Sequence, residues 1–172
     1  MIRFLRLVAS MSIFLPMLTS CVIGAINTRD EFVAAMKSGG PFKNVEQTIV
    51  NRPVKTVVAD MTEYANRCLN VRVTSGPSYR YKSAGGSTTY LAKIETIQSG
   101  ATALSVQEKY NDRDQPGAPP GGFFVLVAEV RAAGNNKTQA DIYHNSRSNI
   151  ANSLKKWIAG DRDLCASLER VL

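Results

Sequence analysis

The stretch Phe123-Phe124-Val125-Leu126-Val127-Ala128 is apolar at every position. A strand with one face in water alternates apolar and polar residues, whereas a strand in the middle of a packed sheet is apolar on both faces. The sequence therefore predicts a β-sheet in which this stretch is a central strand.

Further β-prone segments lie on both sides of this strand along the chain. They cover residues 46–50, 69–74, 88–98, 102–110 and 137–144, and residues 69–74 show the alternation of a half-buried strand. Gly100 and the stretch Gly134-Asn135-Asn136 are turn signals between neighbouring segments. Strands joined by short turns pair antiparallel, so the segments predict an antiparallel sheet.

Two segments have the spacing of amphipathic helices. The first begins near Pro53 and places one apolar stripe at Val54, Val57, Val58, Met61, Ala65 and Cys68. Its polar side is predicted to carry Asp60 and Glu63 into solvent. The second begins after a cap at Asn145 or Ser146, stops at Gly160, and has a stripe at Ile150, Leu154, Trp157 and Ile158.

A short third helix is predicted to start at residues 161–163 and to end near Leu168. The expected fold is α+β, with an antiparallel sheet of about five to six strands and the two main helices packed on one face. The element order β-α-β-β-β-β-β-α resembles helix-grip and TATA-binding-protein-like domains, and domains of the outer-membrane assembly lipoprotein BamC are similar. Likeness in element order implies no functional residues.

The first twenty residues have the pattern of an export signal. Arg3 and Arg6 form a short basic region, and residues 7–18 follow without a charge, a run too short for a transmembrane helix of about 20 residues. Leu18-Thr19-Ser20-Cys21 then resembles the lipobox of bacterial lipoproteins. The alternatives are an ordinary cleaved signal that contains a cysteine, and a short buried helix.

The lipoprotein resemblance implies that Cys21 receives a diacylglyceryl group, that a peptidase cuts before it, and that the new amine is often acylated, for example with palmitate. Val22 resembles the default for the outer membrane of Gram-negative bacteria, with the domain facing the periplasm. The expected division is a signal peptide over 1–20, a lipidated tether over 21–44 and one domain over 45–172. Within the tether, Thr28 could cap a short helix, although flexible spacing is the simpler interpretation.

The cysteine count fits this interpretation. With Cys21 lipidated, Cys68 and Cys165 remain, and in an oxidising compartment they are predicted to form a disulfide that stabilises the fold by about 4 kcal/mol. A buried thiol pair without a bond is the alternative. A metal site is not expected, because neither CxxC nor HxxxH spacing occurs, and no cofactor is expected.

Charge and loop composition suggest partners. Loss of Arg3 and Arg6 lowers the formal charge from +7 to +5, which favours anionic neighbours such as lipid headgroups or glycans, and export makes nucleic acid an unexpected partner. Tyr79, Arg80, Tyr81 and Lys82 alternate aromatic and basic groups and form a candidate partner-binding loop. A solvated hairpin loop is the plainer interpretation.

The Pro/Gly-rich stretch over 111–122 is a second candidate contact loop. Asp112 and Asp114 resemble the start of a calcium loop, but the later ligands are missing. His144 lies near Asp141 and Ser146 without a nucleophile motif, so a capping or surface histidine is expected and a hydrolase is the less favoured class. The expected function is therefore a non-catalytic, lipid-anchored envelope protein that serves another envelope protein as scaffold or accessory subunit. The alternative is a periplasmic-side module for a small lipid or glycan ligand.

Overall fold

A computed structural model describes residues 26–41, 43–75 and 85–168. Six antiparallel strands form one sheet in the order β1-β6-β5-β4-β3-β2. Their bounds are β1 Asn44–Val50, β2 Arg72–Ser75, β3 Gly86–Thr96, β4 Thr102–Tyr110, β5 Phe123–Ala132 and β6 Thr138–His144. The helices are α1 Arg29–Lys37, α2 Val54–Tyr64, extended by a π-helical turn at Ala65–Leu69, and α3 Ser148–Ala159. The α+β prediction with an antiparallel sheet is confirmed.

β5 lies inside the sheet, between β6 and β4, as its apolar sequence predicts. Leu126, Ala128 and Val130 point to the face that packs against α2 and α3. Val127 points to the opposite face and is equally buried, in a second apolar cluster. Both faces of this strand are therefore covered.

The two main helices pack together on the first face. The ring of Trp157 in α3 lies 5.3 Å from the ring of Tyr64 in α2, measured between centroids. The Trp157 Nε1–H donates to the carbonyl oxygen of Leu164 at 2.8 Å, so the buried indole keeps a hydrogen-bond partner. Gly160 ends α3 in the left-handed conformation that favours glycine (φ 106°).

The solvent-exposed polar side that the sequence predicts for α2 is partly wrong. Asp60 is only 5% exposed, and its carboxylate accepts from the Arg52 guanidinium at 2.5 Å. Arg52 also donates to the carbonyl oxygens of Trp157 and Ile158 at the end of α3. A residue outside the helix thus supplies the partner that allows Asp60 to be buried.

α1 covers the second face of the sheet. Its N-terminus has the capping box of Thr28 and Glu31, so Thr28 caps the helix as its residue type predicts. Phe32, Val33 and Met36 pack against Val127, Tyr143 and Phe124 of β5 and β6. The helix lies in the segment predicted as a tether, yet its apolar side is buried in the folded unit.

The prediction of a short helix before Leu168 is wrong, because residues 161–168 have no helical structure. Side chains donate hydrogen bonds to the carbonyl oxygens of this segment. Leu164 O accepts from Ser153 Oγ at 2.7 Å and from the Trp157 indole, and Leu168 O accepts from the Tyr90 hydroxyl. The predicted cap of α3 is also wrong, since no side chain caps that helix, although Asn145 Oδ1 accepts from the Arg147 amide.

Cys68 and Cys165 form a disulfide, with their Cα atoms 5.3 Å apart. Cys68 is buried in the π-helical turn, and Cys165 lies in the segment after α3. The bond therefore joins the π-helical turn at the end of α2 to the segment after α3, as predicted.

We expect Phe32→Ala to lower the free energy of unfolding by about 3 kcal/mol, because it empties the contact between α1 and the second face of the sheet. The measurement is urea unfolding of the whole chain. Ala34→Ser on the exposed side of the same helix is the matched control and should cost under about 0.7 kcal/mol. Equal stability of the two variants would contradict the docking of α1.

Candidate partner-binding surface

The predicted contact loop over 111–122 lies at one end of the sheet. Thr88 pairs with Tyr110 and Glu108 pairs with Phe123. The start of β3, the end of β4 and the start of β5 therefore lie at the same end of the sheet. Ser75 pairs with Gly86, so β2 also ends at this end of the sheet. We call residues 107–123, together with Gly86 and Ser87, the loop end of the sheet.

The structure describes only some of the site residues that the sequence predicts. Tyr79, Arg80, Tyr81 and Lys82 lie outside the described residues, and so does Cys21 with the rest of the proposed signal. Cys68 and Cys165 are joined to each other. What the structure describes of the candidate surface is therefore the loop over 111–122 and the strand ends that hold it.

Hydrogen bonds to strand residues hold the long Pro/Gly loop. Gln107 Nε2 donates to the carbonyl oxygens of Pro120 and Gly122, at 3.0 and 2.9 Å. The Tyr110 amide donates to Gln115 Oε1 at 2.9 Å. Gly122 has a positive φ of 96°, and a Cβ there would collide with the backbone of Glu108, so glycine is required for this close approach.

A groove of about 790 Å³ runs along this loop. Its lining is mixed: Lys109, Asn111, Asp112, Arg113, Asp114, Pro119 and Pro120 all contribute. The Arg113 guanidinium lies over the Tyr110 ring, 4.1 Å from its centroid. The surface thus offers an aromatic ring with a cation on it, flanked by charges of both signs, a combination suited to polar contacts with another macromolecule.

Asp112 has a structural task at the loop end. Its carboxylate accepts a hydrogen bond from the Ser87 amide and so joins the loop to the start of β3. The calcium interpretation gains no support from this contact. Within the described segments, no three His, Cys, Asp or Glu side chains are grouped as metal ligands.

A buried ion pair lies beneath the loop end. Glu108 is 3% exposed, and Arg147, just before α3, donates to it through Nε at 3.0 Å and Nη2 at 2.6 Å. Two N–H groups on one carboxylate fix the position of both side chains. Sequence reasoning missed this pair. On β4, Glu108 follows the helix-facing residues Leu104 and Val106 at intervals of two residues, and this spacing could have predicted that its side chain is buried.

His144 is buried at 2% exposure, so the predicted capping or surface role is wrong. Its Nε2 lies 2.8 Å from Glu46 Oε1 and its Nδ1 lies 2.6 Å from the Asn145 carbonyl oxygen. Lys155 of α3 donates to the other oxygen of Glu46 at 2.5 Å. The hydrogen bond from Lys155 is the main cause that lowers the pKa of Glu46, with a smaller contribution from His144.

Asp141 lies three residues from His144 but on the other face of β6. Its carboxylate accepts from Gln47 at 2.8 Å and Gln139 at 3.0 Å, and Arg131 pairs with it at 2.5 Å. Burial by itself would raise the pKa of Asp141, but these three donors outweigh it and hold the pKa below the usual 3.8. Asp141, His144 and the exposed Ser146 are therefore not brought together.

We expect Asp141→Asn to lower the free energy of unfolding at neutral pH by about 1.5–3 kcal/mol, through loss of the charged partner of Arg131. Because the folded pKa is depressed, the carboxylate's contribution is present above pH 3.8 and is lost as the pH falls through the folded value. The difference between wild type and variant should therefore shrink below pH 3.8 in urea unfolding. Asp114→Asn, in the exposed loop, is the control; a gap independent of pH would contradict the prediction.

The chain matches no protein-family model, no curated protein and no solved structure. Over residues 26–41, 43–75 and 85–168, none of the helices has both the length and the apolar character needed to span a membrane.

Proposed function

We propose that this chain is a non-catalytic lipoprotein of the cell envelope, anchored through Cys21, which serves another envelope protein as scaffold or accessory subunit. One observation carries the proposal: of three cysteines, two are paired within the fold and the third ends a lipobox-like sequence. The pairing leaves Cys21 as the thiol available for lipid. It also fits export, since structural disulfides persist in oxidising compartments.

Attachment by lipid explains how such a protein would act without chemistry of its own. Each buried methylene of an acyl chain contributes about 0.8 kcal/mol, and two or more chains give stable anchoring where one does not. Confinement to a membrane surface raises the effective concentration of the domain near a membrane-bound partner. By its resemblance at Val22, the proposed location is the outer membrane, with the domain in the periplasm.

The packing between helices and sheet supports a surface role over an internal ligand site. Trp157, Tyr64, Tyr90 and Leu154 are fully buried and fill the layer between α2, α3 and the sheet. A lipid or glycan module remains the second candidate, and the observation in its favour is the groove beside Tyr110 and Arg113 at the loop end of the sheet.

We expect Cys21→Ser to abolish lipidation, to block the cut before position 21 and to change the membrane fractionation of the protein. The physical reason is loss of the thiol that carries the acyl chains. Mass shift and membrane fractionation measure the effect. The double variant Cys68→Ser with Cys165→Ser is the control and should stay lipidated. Unchanged processing and fractionation of the Cys21 variant would refute the anchor.

We expect a photo-crosslinking amino acid at Asp114 to capture an envelope protein in intact cells, because this exposed position lies at the loop end of the sheet. The same probe at Asn135, in the exposed turn at the opposite end of the sheet, is the matched control. Adducts are identified by mass spectrometry. Equal capture at both positions would contradict the assignment of this surface, and adducts made only of lipid or glycan would favour the second candidate.

A further inference from the structure

The two edges of the sheet differ in how well they are protected. β2 is four residues long and carries Arg72, whereas β1 runs without a break over the seven residues Asn44–Val50. An edge strand presents unpaired N–H and C=O groups, and natural sheets shield such edges with short strands, bulges, proline, outward lysine, inward-pointing charges or a covering helix or loop. β1 contains neither proline nor lysine, and its pairing with β6 has no bulge.

Apolar side chains lie along this open edge. Val45 is 50% and Ile49 is 59% exposed, and they flank Gln47 on the same face of β1. The one charge in the strand, Glu46, points to the other face, where His144 and Lys155 are bonded to it. The edge therefore offers a β-prone backbone and two exposed apolar groups on one face, with its single charge held on the other face by His144 and Lys155.

We propose that β1 is a dimer interface, in which it pairs antiparallel with β1 of a second copy about a two-fold axis at Gln47. This register places Val45 opposite Ile49 of the second copy, and Ile49 opposite Val45, so both exposed apolar groups find partners. Gln47 meets Gln47, and Glu46 meets Thr48. The two sheets then continue into one.

Neighbouring registers are worse on simple charge and packing grounds. An axis at Glu46 sets that carboxylate opposite its own copy and leaves Ile49 opposite Lys43. An axis at Thr48 sets Ile49 opposite Gln47 and Val45 opposite Asn51. Like charges directly opposite are destabilising and apolar pairs are stabilising, so the axis at Gln47 is the favoured one.

The self-match of this short sequence is the reason to infer a second copy. A two-fold interface is made by one patch meeting itself, and the spacing of Val45 and Ile49 about Gln47 satisfies that condition. The inference does not depend on lipidation or on the partner proposed for the loop end, which lies elsewhere on the sheet.

The test is sedimentation equilibrium of the whole chain carrying Cys21→Ser, so that acyl chains play no part. We expect a mass of twice 18.8 kDa. Val45→Lys and Ile49→Lys should each raise the dimer dissociation constant by roughly tenfold or more. Leu91→Lys, at an exposed apolar position on β3, is the matched control and should leave it unchanged. A monomeric Cys21→Ser chain would overturn the proposal, even if β1 bound a strand of another protein. Equal weakening of the dimer by all three variants would overturn it as well.

Register is tested separately with Gln47→Cys in the same Cys21→Ser background. At the axis this thiol faces its own copy, so a disulfide-linked dimer should form on mild oxidation. Asn51→Cys is the control, since in this register the two copies of position 51 are about 26 Å apart along the strands. Linkage at position 51 but not at position 47 would overturn the proposed register.

Discussion

The burial of β5 on both faces is the constraint on which the rest of the structure depends. Its helix-facing residues need α2 and α3, and its other face needs a second cover, which α1 supplies. A lone sheet with helices on one side would leave Val127 and Tyr143 in water. The segment before β1 is therefore more than a spacer, because it completes the second apolar layer.

Sequence periodicity was sufficient to predict the strands and both long helices, because these elements depend on local pattern. The cysteine count was sufficient to predict the disulfide. The sequence pattern failed where a residue's partner lies outside its own helix or strand. Asp60 is buried because of Arg52 and His144 because of Glu46, and neither pairing is encoded in spacing. The irregular segment 161–168 was missed for the same reason, since the indole of Trp157 donates to the carbonyl oxygen of Leu164. Of the candidate site, the sequence located the loop over 111–122 but not the ion pair beneath it.

Polar groups are placed with a clear division of labour. Charged pairs such as Arg147 with Glu108 and Arg52 with Asp60 lie where helices meet strand ends, and they fix the orientation of one element on another. Removing one member of such a pair would leave an uncompensated buried charge and destabilise the fold. The pair of Arg147 with Glu108 and the hydrogen bonds of Gln107 in this way hold the loop end of the sheet.

The disulfide divides the chain mechanically. Its two cysteines are 97 residues apart, and the closed loop contains β2 to β6 and α3, while α1, β1 and α2 precede it. Tension applied ahead of α1, as from an attachment at that end, cannot extend the enclosed residues without breaking a covalent bond. The load falls instead on α1 and then on the contact between β1 and β6. These elements would peel away first, while the crosslinked remainder keeps its length.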